Sequence, residues 1–232
     1  NRGDNNGKSG GGIDQVVEAT PTSFPKRVVS KTNIARNKQG KNNIAKLPKT
    51  VYLIRHGESL GQAAHRNGMD RKKDPRLIDA GLTQKGINQA SQVPALLGEE
   101  ILERIELVVS SPLTRALHTA VLAFQDSEEF LIHYHLAELG SRVPENTPRD
   151  LRKVVGDADI AISRINTSLQ PTIWPPQPSD YTPPSQKVKL IQRAFQYLYN
   201  EREEEIIAVV CHFHIIQQAL NDFTVRPKNA CP

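Results

Sequence analysis

The sequence predicts an α/β fold: a three-layer sandwich whose mostly parallel sheet carries helices on both faces. Two observations lead there. Strand-like and helix-like segments alternate through residues 51–223. The strand-like segments are continuous apolar runs rather than alternating ones, as strands covered on both faces are. An apolar content of 38% is enough for a core, and 232 residues fit one domain or two small ones.

In order along the chain, residues 1–49 read as a disordered basic tail. "NRGDNNGKSGGG" is polar and glycine-rich, and no acidic residue occurs from 22 to 50. Two readings of this tail stay open: a solvated basic segment, or the remnant of a mitochondrial or plastid transit segment. Residues 51–54 form the first strand, and 63–80 a long charged loop. Thr83 caps a helix to about Leu97, disturbed by Pro94. Residues 107–110 form the second strand. Pro112 opens a helix to about Phe124. A third strand covers 130–134, and 150–165 is weakly helical. "QPTIWPPQPSDYTPPS" (170–185) is an extended surface loop. Ser185 caps an amphipathic helix to about Arg202, residues 206–210 form a fourth strand, and 215–223 the last helix.

Charge and cysteine content narrow the function. The chain carries a formal +5, but residues 1–50 hold ten Lys/Arg against three Asp/Glu, leaving −2 on the rest. The predicted domain therefore gives no case for nucleic acid. No apolar run approaches 18 residues, which predicts no membrane span. Two cysteines, Cys211 and Cys231, make no disulfide framework. They predict an intracellular setting, cytoplasmic or, if the tail is a transit remnant, mitochondrial or plastid.

In parallel sheets ligands bind beyond the carboxyl ends of the strands. Arg55, His56 and Gly57 follow the first strand in "VYLIRHGESL". Ser110, Ser111 and Arg115 follow the second; His133, His135 and Glu138 the third; Cys211, His212 and His214 the fourth. Cations and imidazoles so gathered predict an anion site. An arginine near a helix N-terminus opposes the dipole, and makes sense if it closes on a phosphate. The other reading of Arg115 is a surface ion pair.

"LIRHGES" resembles the signature of the histidine phosphatase superfamily, the phosphoglycerate mutase-like family. "DAGLTQKGINQA" (79–90), "VVSSPLTRALHTA" (108–120), "LAEL" (136–139) and "VVCHFHII" (209–216) resemble further family segments in the family's order. The resemblance implies a catalytic domain over 50–232. It implies His56 as the nucleophile, forming a phosphohistidine. Arg55, Arg115 and His212 would hold the phosphoryl oxygens. Glu138 would be the general acid and then the base. Glu145, after Pro144 in a polar stretch, reads as mobile and as the weaker candidate. Gly57 would let the backbone approach the phosphate without a Cβ, and Ser59 and Gln62 would line the phosphate end. No cofactor and no metal is implied, and the partner is a small phosphorylated substrate.

Three departures from the family pattern stand out. Gln62 replaces a common Asn. Phe213 replaces the Gly that commonly follows the second histidine, so it would narrow the pocket, select an apolar substrate, or mark lost activity. "VRPKNACP" (225–232) resembles the lead-in to a last strand that would be missing. The stretch after Glu138 lacks the Tyr-Gly and Leu-Asn-Lys pattern of the mutases, which favours a histidine acid phosphatase-like phosphomonoesterase over a mutase. Two competing readings are a non-catalytic binding protein of the same fold and a zinc site. For zinc, "HYH" (133–135) and "CHFH" (211–214) would each place two histidines on one face of a strand.

Overall fold

The computed structural model describes residues 16–21, 49–70, 72, 74–138, 143–172, 174–175 and 184–225. Its seven strands are β1 (Val16–Pro21), β2 (Thr50–Arg55), β3 (Leu107–Ser110), β4 (Phe130–Ile132), β5 (Ile165–Asn166), β6 (Ile206–Cys211) and β7 (Phe223–Val225). They form one sheet in the order β5-β4-β3-β6-β2-β1-β7. The five strands from β5 to β2 are mutually parallel, while β1 runs antiparallel to both β2 and β7.

Among the described residues seven α-helices accompany the sheet: α1 (Leu60–Arg66), α2 (Gln84–Leu97), α3 (Glu99–Leu102), α4 (Thr114–Ala123), α5 (Leu151–Asp157), α6 (Pro184–Asn200) and α7 (Phe213–Asp222). Alternation along the strands divides the core in two. Ile54, Val108, Phe130, Ile132, Ala208 and Val210 pack with Val93, Leu97, Ala116, Leu117 and Val154 of α2, α4 and α5. Their neighbours Leu53, Leu107, Val109, Leu131, Ile207 and Val209 pack with Ile191, Phe195, Leu198, Ile215 and Ile216 of α6 and α7. Successive side chains of a strand point to opposite faces, so where both faces are covered the strands are near-continuous apolar runs. The predicted three-layer sandwich is the observed one.

Register decides where the site lies. Arg55 pairs with Cys211, and Ser110 pairs with both Val210 and Ile132, so the four carboxyl ends line up. The ladder runs one residue further. His56 N–H donates to Cys211 O, Ser111 N–H to Val210 O, and His133 N–H to Ser110 O. His56, Ser111 and His133 are thereby fixed by backbone at one sheet edge, with His212 following β6 directly.

Several expectations are corrected. The tail of 1–49 is not wholly outside the fold, since Val16–Pro21 pairs with β2 along Val16↔Ile54 to Ala19↔Val51. Lys49 is also fixed: it is buried, and its Nζ donates to the carbonyls of Arg202 and Glu204, each at 2.6 Å. The rest of the tail, and most of the proline-rich loop, lie outside the described residues. Phe223, expected to end a helix, begins β7, which pairs with β1. The loop expected over 63–80 begins within α1. Ser59 caps that helix, and Gln62 closes a capping box. Pro112 precedes the cap residue Leu113 of α4 instead of opening the helix. As expected, α2 follows its Thr83 cap and runs to Leu97, with Pro94 inside it. The third strand ends at Ile132, and a 3-10 turn follows at Tyr134–Leu136.

Candidate active site

His56 is buried directly beyond β2. Its Nδ1 lies 2.7 Å from Gly57 O. A carbonyl only accepts, so Nδ1 carries the proton and Nε2 keeps its lone pair. That lone pair accepts from Arg115 Nε at 3.2 Å. Burial holds the imidazole well below its ordinary pKa, and the Arg115 and Arg55 charges lower it further, against the Gly57 carbonyl. The result is a buried neutral imidazole whose one lone pair faces the Arg115 guanidinium.

Arg115 is in the first turn of α4 and 3% exposed. Its Nη1 donates to Glu145 O and its Nη2 to Asn146 Oδ1 at 2.8 Å. It is not a surface ion pair. Thr119, one turn on, accepts from Gly57 N–H at 3.0 Å and donates to Arg115 O at 2.7 Å, tying α4 to the end of β2. Asp79 fixes the helix start: its carboxylate accepts from Thr114 N–H at 2.9 Å and Thr114 Oγ1 at 2.7 Å. Asp79 N–H also donates to Pro144 O at 3.0 Å, beside the turn that receives Arg115.

His212 is fully buried, and its ring centroid is 5.0 Å from that of His56. Ser111 Oγ lies 2.7 Å from His212 Nε2. Burial, then Arg115 and His56, push His212 well below its ordinary pKa. Arg55 places its guanidinium over the Phe213 ring, 5.5 Å from the centroid. Among the described residues, the buried Nε of Arg55 and Nδ1 of His212 have no hydrogen-bond partner.

Glu138 is buried, with Oε1 3.3 Å from His214 Nδ1. Lys187, at the start of α6, donates from Nζ to Glu138 O at 2.7 Å. Burial lowers the pKa of both Arg55 and Arg115; the Glu138 carboxylate opposes this at both, after Glu145 at Arg115. Both arginines, both central histidines and this acid therefore share one locus.

The structure gives Gly57, Ser59, Gln62 and Glu145 other settings than expected. A Cβ on Gly57 would come within 2.3 Å of Gly86 O, so the close approach of α2 by itself demands the glycine. Its N–H is already given to Thr119. Ser59 Oγ accepts from Gln62 N–H at 3.2 Å and Gln62 Oε1 from Ser59 N–H at 2.9 Å, so both oxygens serve the start of α1. Glu145, expected to be mobile, is 7% exposed and packs against Gly61, where a Cβ would strike its carboxylate. Phe213 is 41% exposed at the first position of α7.

The strand geometry proposed for a zinc site is absent. His133 and His135 flank and enter a 3-10 turn, and His214 lies on α7. Among the described residues no three His, Cys, Asp or Glu side chains are grouped to hold a metal. Sequence reasoning assigned no role to Ser111, Thr119, Asn146, Lys187 or Asp79. Thr119 had a signal, since it stands four residues after Arg115 in the motif quoted above. Lys187 had none.

The family model of the histidine phosphatase superfamily (branch 1) matches residues 51–231. The chain belongs to that superfamily. It is 39% identical over 79 residues to a Schizosaccharomyces pombe protein named "Probable phosphatase", covering 34% of this chain and 33% of that one. It is 32% identical over 120 residues to phosphoglycerate mutase-like protein 2 of Arabidopsis thaliana, covering 51% and 32%. These matches thus span about a third of the length of the curated relatives. The fold is similar to that of the ecdysone phosphate phosphatase of Bombix mori, solved with tungstate, at a TM-score of 0.53 and 17% identity over 74% of this chain and 76% of that one. Within the histidine phosphatase frame, "RHG" and "SSPLTRA" fall at the ends of β2 and β3. No helix among the described residues is long and apolar enough to cross a membrane.

Proposed function

We propose that this histidine phosphatase-family chain is a phosphohydrolase. It removes the phosphoryl group from a small phosphomonoester through a phosphohistidine on His56. One observation carries the reading: a buried neutral imidazole whose Nδ1–H is fixed on Gly57 O, with its Nε2 lone pair held beside Arg115 and 5.0 Å, ring to ring, from a second histidine. A nucleophile needs that free lone pair, and the transferred group needs the surrounding donors.

In the first half-reaction the His56 Nε2 lone pair forms the N–P bond as the bond from phosphorus to the alcohol oxygen breaks. Glu138 delivers its proton to that oxygen. Arg55, Arg115 and His212 stabilise the equatorial oxygens, with Arg115 giving up its contact to Nε2 as the phosphoryl group arrives. In the second, a water attacks phosphorus, Glu138 takes a proton from it, and the N–P bond breaks. Inorganic phosphate leaves, and His56 is restored. The positive charge for this chemistry comes from side chains. Phe213, an exposed aromatic stacked on Arg55, supports an apolar face for the leaving group.

The test is direct. His56→Ala abolishes turnover of an aryl phosphate, and acid-labile, base-stable phosphate appears on the wild-type chain during turnover. Vanadate, which adopts the pentavalent geometry, inhibits, while a chelator leaves the rate unchanged. Full activity in His56→Ala ends the phosphohistidine reading. Activity lost to chelator and restored by zinc favours metal-assisted hydrolysis instead.

A further inference from the structure

Two buried neutral histidines do opposite work in this site, and a single hydroxyl separates their roles. We propose that Ser111 is a positioning residue that holds His212 in the Nδ1–H form, so that His212 presents a proton to the phosphoryl group where His56 presents a lone pair.

A serine hydroxyl has one proton and two lone pairs. Ser111 Oγ accepts from Leu113 N–H at 3.3 Å, which occupies one lone pair. His212 Nε2 lies 2.7 Å away, and both groups are 0% exposed. Among the described residues the Ser111 proton has no other acceptor. If Nε2 carried the proton, it and Leu113 N–H would fill both lone pairs of Ser111 Oγ, and the hydroxyl's own O–H would be buried without an acceptor, at a cost of about 1–3 kcal/mol. Donation from Oγ to Nε2 removes that cost and places the imidazole proton on Nδ1.

Nδ1 is the nitrogen left for a ligand, being buried without a partner among the described residues. A phosphoryl group at neutral pH offers acceptors, so a lone pair there would repel it and an N–H would bind it. His56 is the same tautomer turned the other way, its Nδ1–H spent on Gly57 O and its Nε2 lone pair presented. Burial keeps both rings neutral, which is what makes a tautomer definable. The Ser111 side chain is set by the turn between β3 and α4, since its N–H donates to Val210 O. The same short turn therefore delivers Arg115 and dictates the proton of His212.

The ligand role rests on the phosphohistidine reading; the tautomer does not. The test is 15N imidazole correlation on labelled full chain, ligand-free and with vanadate, the His212 signals assigned by their loss in His212→Asn. The expected result is a protonated Nδ1 and an acceptor Nε2 at His212 in both states. Ser111→Ala loses this single tautomer and weakens vanadate at least about tenfold, while Ser111→Thr, which keeps the hydroxyl, restores both. A protonated Nε2 in the wild type overturns the proposal even if the alanine variant does not fold. So does an unchanged His212 tautomer in Ser111→Ala. Failure of the phosphohistidine reading shows separately, as turnover retained in His56→Ala.

Discussion

Glu138 and Glu145 are both buried at the mouth of the site, and their contacts separate them. Glu138 has its carboxylate beside His214 and its carbonyl held by Lys187. Glu145 gives its carbonyl to Arg115 and packs its carboxylate on Gly61. General acid catalysis contributes about 10²–10⁴-fold, and matters most for a poor leaving group. Glu138→Gln is therefore expected to lose most activity on an alkyl phosphate and far less in single-turnover phosphorylation by an aryl phosphate. Glu145→Gln is expected to act equally on both substrates, because its carboxylate bears on the Arg115 charge common to both reactions. The opposite pattern would make Glu145 the acid. At Gly57 the expectation is structural: Gly57→Ala drives a Cβ into Gly86 O and lowers stability by about 1–3 kcal/mol, read from the urea midpoint.

Helix α4 carries Arg115, and its placement depends on Asp79. This residue is 1% exposed, with φ 46°, and binds Thr114 through both carboxylate oxygens. Arg149 Nε reaches the same carboxylate at 3.2 Å. Asp79→Ala leaves the buried Thr114 N–H without its acceptor and takes from Arg149 one of its two carboxylate partners, Asp157 remaining, an expected loss of about 1–3 kcal/mol in denaturant unfolding. Vanadate binding weakens with it, as the first turn of α4, which carries Arg115, loses its contact to Asp79. Vanadate affinity unchanged in a folded Asp79→Ala would show that α4 is positioned without it. Strand β1 invites a second test. It pairs with both β2 and β7, so deleting residues 1–21 exposes the edge of β2 and leaves β7 without its neighbour. The melting temperature is expected to fall, by about 2–4 °C per kcal/mol lost. An unchanged value would mean that the parallel strands alone hold the fold.

Acid sensitivity belongs to the molecule as a whole. His56, His133 and His212 are all buried and held below their ordinary pKa by that burial; His133 is pushed down to about 4, with His135 adding to the effect. The unfolded chain binds protons at these groups from about pH 6.5 downward, while the folded one resists. Stability is therefore complete above about pH 6.5 and falls as the pH drops toward the folded values. His133 alone accounts for on the order of 2 kcal/mol by pH 5. The measurement is the urea midpoint at pH 7 and pH 5, in the wild type and in His133→Gln. The glutamine variant is expected to lose less between the two pH values.

The chain's pattern of apolar runs was enough for the layers and the sheet direction, because burial on both faces leaves no polar alternation along a strand. It also brought the neighbourhood of Arg55, His56, Arg115, Glu138 and His212 to one edge, since residues just past parallel strands gather there; singling out these five rested on the family motifs. Hydrogen-bond partners were not legible, because they join positions far apart in sequence. Ser111 and His212 meet only through the pairing of β3 with β6. Asp79 reaches α4 across a folded loop, and Lys187 reaches Glu138 from a helix 49 residues on. Val16–Pro21 went unread for a related reason: a short strand against an existing edge needs little apolar pattern of its own, only backbone groups and a neighbour to pair with. Which residues gather is written along the chain; which atom of each faces the reacting group is decided only when the strands are in register.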